Sequence, residues 1–187
     1  MKRVLFLIAF ASILHAHPAD ALVPGNPSIG ISYPFPVSPS SFTDTYNGSI
    51  GVSGTFSVVP LPVVSVDLEL GYFRFGLDKE KEPSVQDGGD RWTFEISGVG
   101  RVPLPIGNRI KPYARGGVGV FWTRTTSITF SGESPPLQDF SDTSFGFLLG
   151  VGVDFGLAAG ITIYVDGTYY QANSNTRYLP VAVGVRF

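Results

Sequence analysis

The stretch from Phe145 to Leu157, Phe-Gly-Phe-Leu-Leu-Gly-Val-Gly-Val-Asp-Phe-Gly-Leu, admits few folds. Taken alternately, it sets Phe145, Phe147, Leu149, Val151, Val153, Phe155 and Leu157 on one face. Gly146, Leu148, Gly150, Gly152, Asp154 and Gly156 fall on the other. Successive side chains of a strand point to opposite faces, so this is a strand with one continuous apolar face and one face that is mostly glycine. A strand of a soluble sandwich turns its apolar face inward and a bulky polar face to water. Here the second face is nearly bare, as suits a cramped interior. The apolar face is as long as the roughly 9–11 residues with which a tilted strand crosses a bilayer.

The same alternation recurs along the chain. Ser28–Phe35 aligns Ile29, Ile31, Tyr33 and Phe35, and Pro34, Pro36 and Pro39 are expected to end that strand. Tyr46–Val58 aligns Ile50, Val52, Phe56 and Val58. Val64–Phe75 sends Val66, Leu68, Leu70 and Tyr72 outward and Asp67 and Glu69 inward. Arg91–Val102 sends Trp92, Phe94 and Ile96 outward and Glu95 and Arg101 inward. A further strand starts near Ile110, with Lys111, Tyr113 and Arg115 inward, and runs on to Phe130. After Phe145–Leu157 come Ile161–Ala172, with Tyr164, Asp166 and Tyr170 inward, and Arg177–Phe187. The connections alternate between long polar stretches, such as Leu77–Asp90 and Ser131–Asp142, and tight turns at Pro60-Leu61-Pro62, Pro103-Leu104-Pro105 and Ala158-Ala159-Gly160. Eight strands in that rhythm predict an all-β fold, a transmembrane antiparallel up-and-down barrel, with long loops outside and short turns in the periplasm. Aromatic residues at the strand ends supply two interfacial girdles: Tyr46, Tyr72, Trp92, Trp122, Phe145 and Tyr169 at the outer rim, and Phe56, Phe155 and Phe187 at the inner one.

The N-terminus reads as a secretion signal. Lys2 and Arg3 precede the apolar run Val4–Leu14, which is too short to span a bilayer as a helix. Ala19-Asp20-Ala21 fits small-x-small cleavage, so residues 1–21 are expected to be removed and residues 22–187 to form one barrel domain. Both histidines, His15 and His17, then leave with the signal, and the chain has no cysteine. What remains cannot perform Ser-His-Asp or Cys-His catalysis, or hold a zinc ion through imidazole or thiolate. The formal net charge of −2 is no basic profile, which argues against a nucleic-acid partner.

Three segments carry a resemblance: Lys111-Pro112-Tyr113-Ala114-Arg115-Gly116-Gly117-Val118-Gly119-Val120, Phe147-Leu148-Leu149-Gly150-Val151-Gly152-Val153-Asp154-Phe155, and Val181-Ala182-Val183-Gly184-Val185-Arg186-Phe187. In these the chain resembles the OmpA-like eight-stranded outer-membrane barrels of the "porin family" type. The resemblance implies a place in the outer membrane of a Gram-negative envelope and contact with outer-membrane lipid; the periplasmic wall-binding domain of some relatives is not expected, because the chain stops at the barrel. Phe187 resembles the terminal aromatic read by the barrel-assembly machinery. Lipid A deacylases and palmitoyl-transferring barrels of this size class depend on histidine, so the resemblance implies no enzyme here and no cofactor.

Asp67 and Glu69 share an inward face, as paired catalytic carboxylates would. The competing reading sets them, with Glu95, Asp154 and Asp166, against Arg101, Lys111, Arg115 and Arg186 in an ion network that fills a narrow lumen. Counting from the turns places Arg101 and Lys111 lowest, Asp67 and Asp154 one layer higher, and Glu69, Arg115 and Asp166 above them. The expectation is therefore a structural and surface-interaction barrel whose lumen is plugged by polar side chains. Two other readings stay open. One is a small passive channel for small or hydrophobic solutes, and the other an adhesin or host-factor-binding protein whose loops take an extracellular ligand.

Overall fold

Apolar-out alternation closes the sheet on itself. A computed structural model describes residues 27–60, 64–104, 110–131, 136–157 and 160–187. Residues 1–21, expected to be a signal, and Leu61, Pro62, Pro105, Ala158 and Ala159 of the tight turns, lie outside the described residues. The strands in chain order are β1 (Ser28–Ser38), β2 (Tyr46–Pro60), β3 (Ser65–Leu77), β4 (Val85–Gly88), β5 (Arg91–Pro103), β6 (Ile110–Thr125), β7 (Ile128–Phe130), β8 (Phe140–Gly156), β9 (Thr162–Asn173) and β10 (Thr176–Arg186). A single helical turn, α1 (Ser40–Thr43), sits between β1 and β2. Eight of the strands form a closed barrel in the order β1-β10-β9-β8-β6-β5-β3-β2, every neighbour antiparallel. Closure pairs β1 with β10, Ile29 opposite Val185 and Ile31 opposite Val183, and leaves no open sheet edge in lipid.

The outer face is the one the alternation marks. Phe145, Val151, Leu149 and Val118 are among its most exposed residues, Phe145 at 87%. The opposite face of β8 is glycine because the lumen has no room for more. A Cβ on Gly150 would collide with Thr168 Oγ1, and one on Gly152 with the Tyr113 ring.

The structure departs from the sequence expectation in four places. β1 continues through Pro34 and Pro36 to Ser38. It pairs with β2 only as far as Ser32, so beyond that point one edge carries no ladder and proline is tolerated. The strand expected to run from Ile110 to Phe130 is two elements, β6 and β7. β7 leaves the barrel to pair with β4, so two external loops are joined in a small sheet of their own. Strand β2 carries an irregularity between Gly48 and Gly51. A one-residue slip exchanges the faces of a strand, and Tyr46, expected in the outer girdle, turns inward against the core. Finally, register sets Arg101 and Arg115 directly opposite each other on β5 and β6, a cross-strand pairing that counting along single strands does not show, although Arg115 still groups with Glu69 and Asp166 and Arg101 with Asp67 and Asp154. Counting residues ignores the strand tilt that closing a barrel imposes.

Candidate functional site

The lumen is built from inward positions of the eight strands and divides into two halves, the lower of which is itself two layers deep. The lower half, toward the tight turns, is ionic. Asp154 on β8 accepts hydrogen bonds from Arg186 Nη1 at 2.5 Å and Arg101 Nη1 at 3.0 Å. Arg101 Nε also lies 3.8 Å from Asp67, whose other oxygen accepts from Ser57 Oγ at 2.5 Å. One layer up, Arg115 spans the lumen. Its Nη1 donates to Asp166 at 3.2 Å and its Nη2 pairs with Glu69. Tyr113 donates to Asp166 at 3.1 Å and Tyr170 to Glu69 at 2.5 Å. The Tyr113 ring lies beneath two guanidinium groups, Arg101 at 5.4 Å and Arg186 at 5.7 Å.

This arrangement answers the two like charges that register sets side by side. Directly opposed cations on neighbouring strands repel, so Arg101 reaches to Asp67 and Asp154 while Arg115 reaches to Glu69 and Asp166. Each guanidinium thus has two carboxylates, the condition under which buried charge persists.

Two of the expected members stand apart. Lys111 is solvent-exposed at the lower mouth and makes no ion pair among the described residues. It occupies the first inward position of β6, where the side chain reaches water. Glu95 is fully buried, yet neither carboxylate oxygen has a hydrogen-bond partner. Its stem folds over Gly71, across the β3–β5 ladder, which carries it above the level of the arginines. Phe187, the expected assembly signal, is exposed at the lower rim, its N–H donating to Pro27 O at 3.0 Å.

The upper half corrects the expectation of a polar fill throughout. Phe42, Phe73, Phe75, Val99, Phe121, Leu148, Tyr170, Ala172 and Tyr178 form one buried cluster, with Tyr46 packed against it; Val99, opposite Asp67, carries it down to the ionic residues. Phe75 sits 5.1 Å from Phe42 and 5.3 Å from Tyr178, and Tyr170 stacks on Tyr178 at 5.1 Å with the rings 2° from parallel. Phe42 comes from α1, so the first external loop folds back into the barrel mouth. Arg91 covers it there, 5.5 Å from the Phe42 ring and 5.4 Å from Tyr46.

Of this cluster, the alternation marked Tyr170 and Leu148 as inward and missed the others. The signal was present in Phe73-Arg74-Phe75 and Val120-Phe121-Trp122, where large aromatic residues fall on the inward face of a strand end. Aromatic rings on the inward face of a closed barrel have only one another to pack against, so they belonged to a core.

With eight strands, a lipid-facing wall and a filled lumen in place, comparison with known proteins decides the family. A family model for the outer membrane protein beta-barrel domain matches residues 6–187. The chain belongs to that family. The barrel accordingly resides in the outer membrane. Among solved structures, it is similar to Neisserial surface protein A, at 15% identity and a TM-score of 0.58, covering 86% of this chain and 94% of that one. It is also similar to Ail, the attachment invasion locus protein of Yersinia pestis, at 15% identity and a TM-score of 0.53, covering 87% and 99%. Ail has also been solved in complex with the heparin analogue sucrose octasulfate. OprG of Pseudomonas aeruginosa matches at 14% identity and a TM-score of 0.50, covering 87% and 96%. At these identities the likeness is one of fold. No curated protein matches the chain.

Proposed function

We propose that this barrel is a non-catalytic outer-membrane protein that supports the envelope and presents its external loops for interaction, with a lumen closed to solutes. The observation that carries this reading is the fill of the upper lumen. Phe42, Phe73, Phe75, Phe121 and Tyr178, each 2% exposed or less, meet across the barrel, and the buried threonines beside them, Thr93 and Thr123, bond to each other. An ion or polar solute entering from outside would have to shed its hydration among aromatic rings and then pass the Arg115 bridges below. The small sheet of β4 and β7 supports the display half of the proposal, because pairing two long loops gives them a fixed surface. Ail, a similar fold, is by its name an attachment protein and has been seen with a sulfated sugar, which keeps adhesion as the second reading. A passive channel is the alternative that the aromatic fill disfavours.

Planar-bilayer recording of the refolded barrel tests the closed lumen. The expected record is a quiet baseline with at most rare, small openings; stable large openings overturn the proposal and favour the channel. Deletion of the β4–β7 sheet, followed by assays of cell adhesion at unchanged surface abundance, separates display from adhesion.

A further inference from the structure

Among the lumenal carboxylates Asp67, Glu69, Glu95, Asp154 and Asp166, Glu95 alone makes no ion pair. Register explains why. Glu95 stands opposite Gly71 on β3 and Phe121 on β6, positions whose side chains bring neither a charge nor a hydrogen-bond donor. Arg115 commits its Nη1 to Asp166 and its Nη2 to Glu69. Gly71 then decides where the Glu95 carboxyl goes. A Cβ there would come within 2.7 Å of both Cγ and Oε1 of Glu95, and within 2.8 Å of the Phe73 ring. The missing side chain lets Glu95 lean across the ladder toward β3, where the next inward residue below is Glu69.

The two carboxyl groups face each other out of reach of water, Glu95 at 0% exposed and Glu69 at 1%. The other titratable groups around Glu95 are Arg115 from β6, Tyr170 from β9 and Tyr178 from β10. None of them donates to Glu95, and the Tyr178 hydroxyl bonds nothing. Two ionised carboxylates do not persist side by side in such a place, because they repel and the unpaired one keeps the full cost of desolvation. The surroundings fix the charge on Glu69, to which Arg115 and Tyr170 both donate. A carboxylate has about four lone-pair sites, so Glu69 can accept once more. Glu95, which meets no donor, has to bring its own hydrogen.

We propose that Glu95 is a proton-binding site: the barrel folds with a hydrogen on this carboxyl, donated to Glu69, and the carboxyl–carboxylate pair joins the ionic half of the lumen to the aromatic half. An O–H group bonded to a carboxylate makes one of the stronger hydrogen bonds a protein can form. It lets the rings of Phe73 and Phe121 rest on the ionic layer with no cation between them. The bound proton also makes stability depend on pH in a fixed direction. In the unfolded chain a glutamate is ionised above about pH 5, so at neutral pH folding takes up one proton at Glu95. Raising the pH then favours the unfolded chain. For this one group the folding constant falls about tenfold per pH unit, as long as the folded barrel keeps the proton. A glutamine at the same position donates an N–H to Glu69 and takes up no proton.

The test folds the wild type, Glu95→Gln, Glu95→Ala and Glu69→Gln from urea into phosphatidylcholine vesicles between about pH 6 and about pH 8. Glu95→Gln is expected to fold at least as stably as the wild type at the upper end of that range. Its folding constant should lack the tenfold fall per pH unit that the wild type shows relative to it. Glu95→Ala, which loses the donor, and Glu69→Gln, which weakens the hold on Arg115, should both lower the urea midpoint. Infrared spectra of the folded wild type carrying carboxyl-labelled glutamate should show the C=O stretch of a protonated carboxyl at neutral pH, and Glu95→Gln should remove it. Absence of that band, or a pH slope unchanged in Glu95→Gln, overturns the proposal. So does a Glu95→Gln barrel that fails to fold or is as unstable as Glu95→Ala; Glu95 is then ionised and held by a donor such as Arg115 Nε, which has no other partner. A stable Glu69→Gln beside an unstable Glu95→Gln moves the proton to Glu69 and overturns the assignment.

Discussion

The lower and upper halves of the lumen lie inside the same eight strands and are filled by opposite chemistry. In the lower half, Arg101, Arg115 and Arg186 are held by Asp67, Glu69, Asp154 and Asp166 in geometry that leaves each guanidinium bonded. In the upper half, aromatic rings from β3, β6, β9 and β10 and from the first loop pack without any ion pair among the cluster members. The two solutions fail differently. A charge network is stable only as a whole, because removing one member leaves its partners charged in a poor solvent. An aromatic cluster loses what the removed ring contributed plus the cavity it leaves. The difference also explains how a loop can contribute to the upper half. Phe42 needs shape and apolar neighbours, which a single helical turn can supply, whereas a charged residue on a loop would need several fixed partners.

The largest expected effect is at Arg115. Arg115→Met removes the one group that bridges Glu69 and Asp166 and leaves both buried, at a cost of about 3–5 kcal/mol. Urea titration of folding into lipid vesicles measures it. A loss under about 1 kcal/mol would mean that solvent reaches the lower layer freely, and the contrast between the halves would collapse.

Phe75→Ala in the upper half should cost about 3 kcal/mol, the low end for a buried phenylalanine, because Phe42 comes from a loop and can follow the vacated space. Combined with Arg115→Met, it should add to within about 0.5 kcal/mol, the behaviour of sites without shared partners. Arg115→Met combined with Asp166→Asn should be far from additive. Equal coupling in the two pairs would show a single network and remove the division.

How much of this was legible in the sequence follows the same division. The lipid face, the strand count and the ionic residues all sit on strict alternation with glycine or a charge on the inner face, and there the period of 2 assigns each side chain without ambiguity. The upper half was hidden for two reasons. In Tyr72-Phe73-Arg74-Phe75 the outward face carries a charge and the inward face two aromatic rings, the reverse of the contrast that alternation uses elsewhere. Phe42 lies in a polar stretch, Ser38–Asp44, whose composition reads as solvated loop. The irregularity at Gly48–Gly51 that turns Tyr46 inward, and the tilt that brings Arg101 opposite Arg115, are properties of the closed barrel rather than of any one strand. The pairing of β4 with β7 joins loops far apart in sequence, and neither carries a pattern that specifies the other.

The smallest effects fall on the boundary between the halves and test it most closely. Tyr170 and Tyr178 stack face to face, so their rings contribute comparable packing. Their hydroxyls do not. That of Tyr170 donates to Glu69 at 2.5 Å, whereas that of Tyr178 is buried with no partner. Tyr170→Phe removes a hydrogen bond to a charged group and should cost about 1.5–3 kcal/mol. Tyr178→Phe removes a buried hydroxyl that makes no bond in the barrel, and should stabilise it by about 1 kcal/mol by removing an uncompensated desolvation. The same vesicle titration reads both. If Tyr178→Phe costs as much as Tyr170→Phe, its hydroxyl is bonded in the folded barrel, and the polar layer extends up past Glu95 into the aromatic half. If both are neutral, Glu69 is held by Arg115 alone and the boundary lies lower, beneath Tyr170.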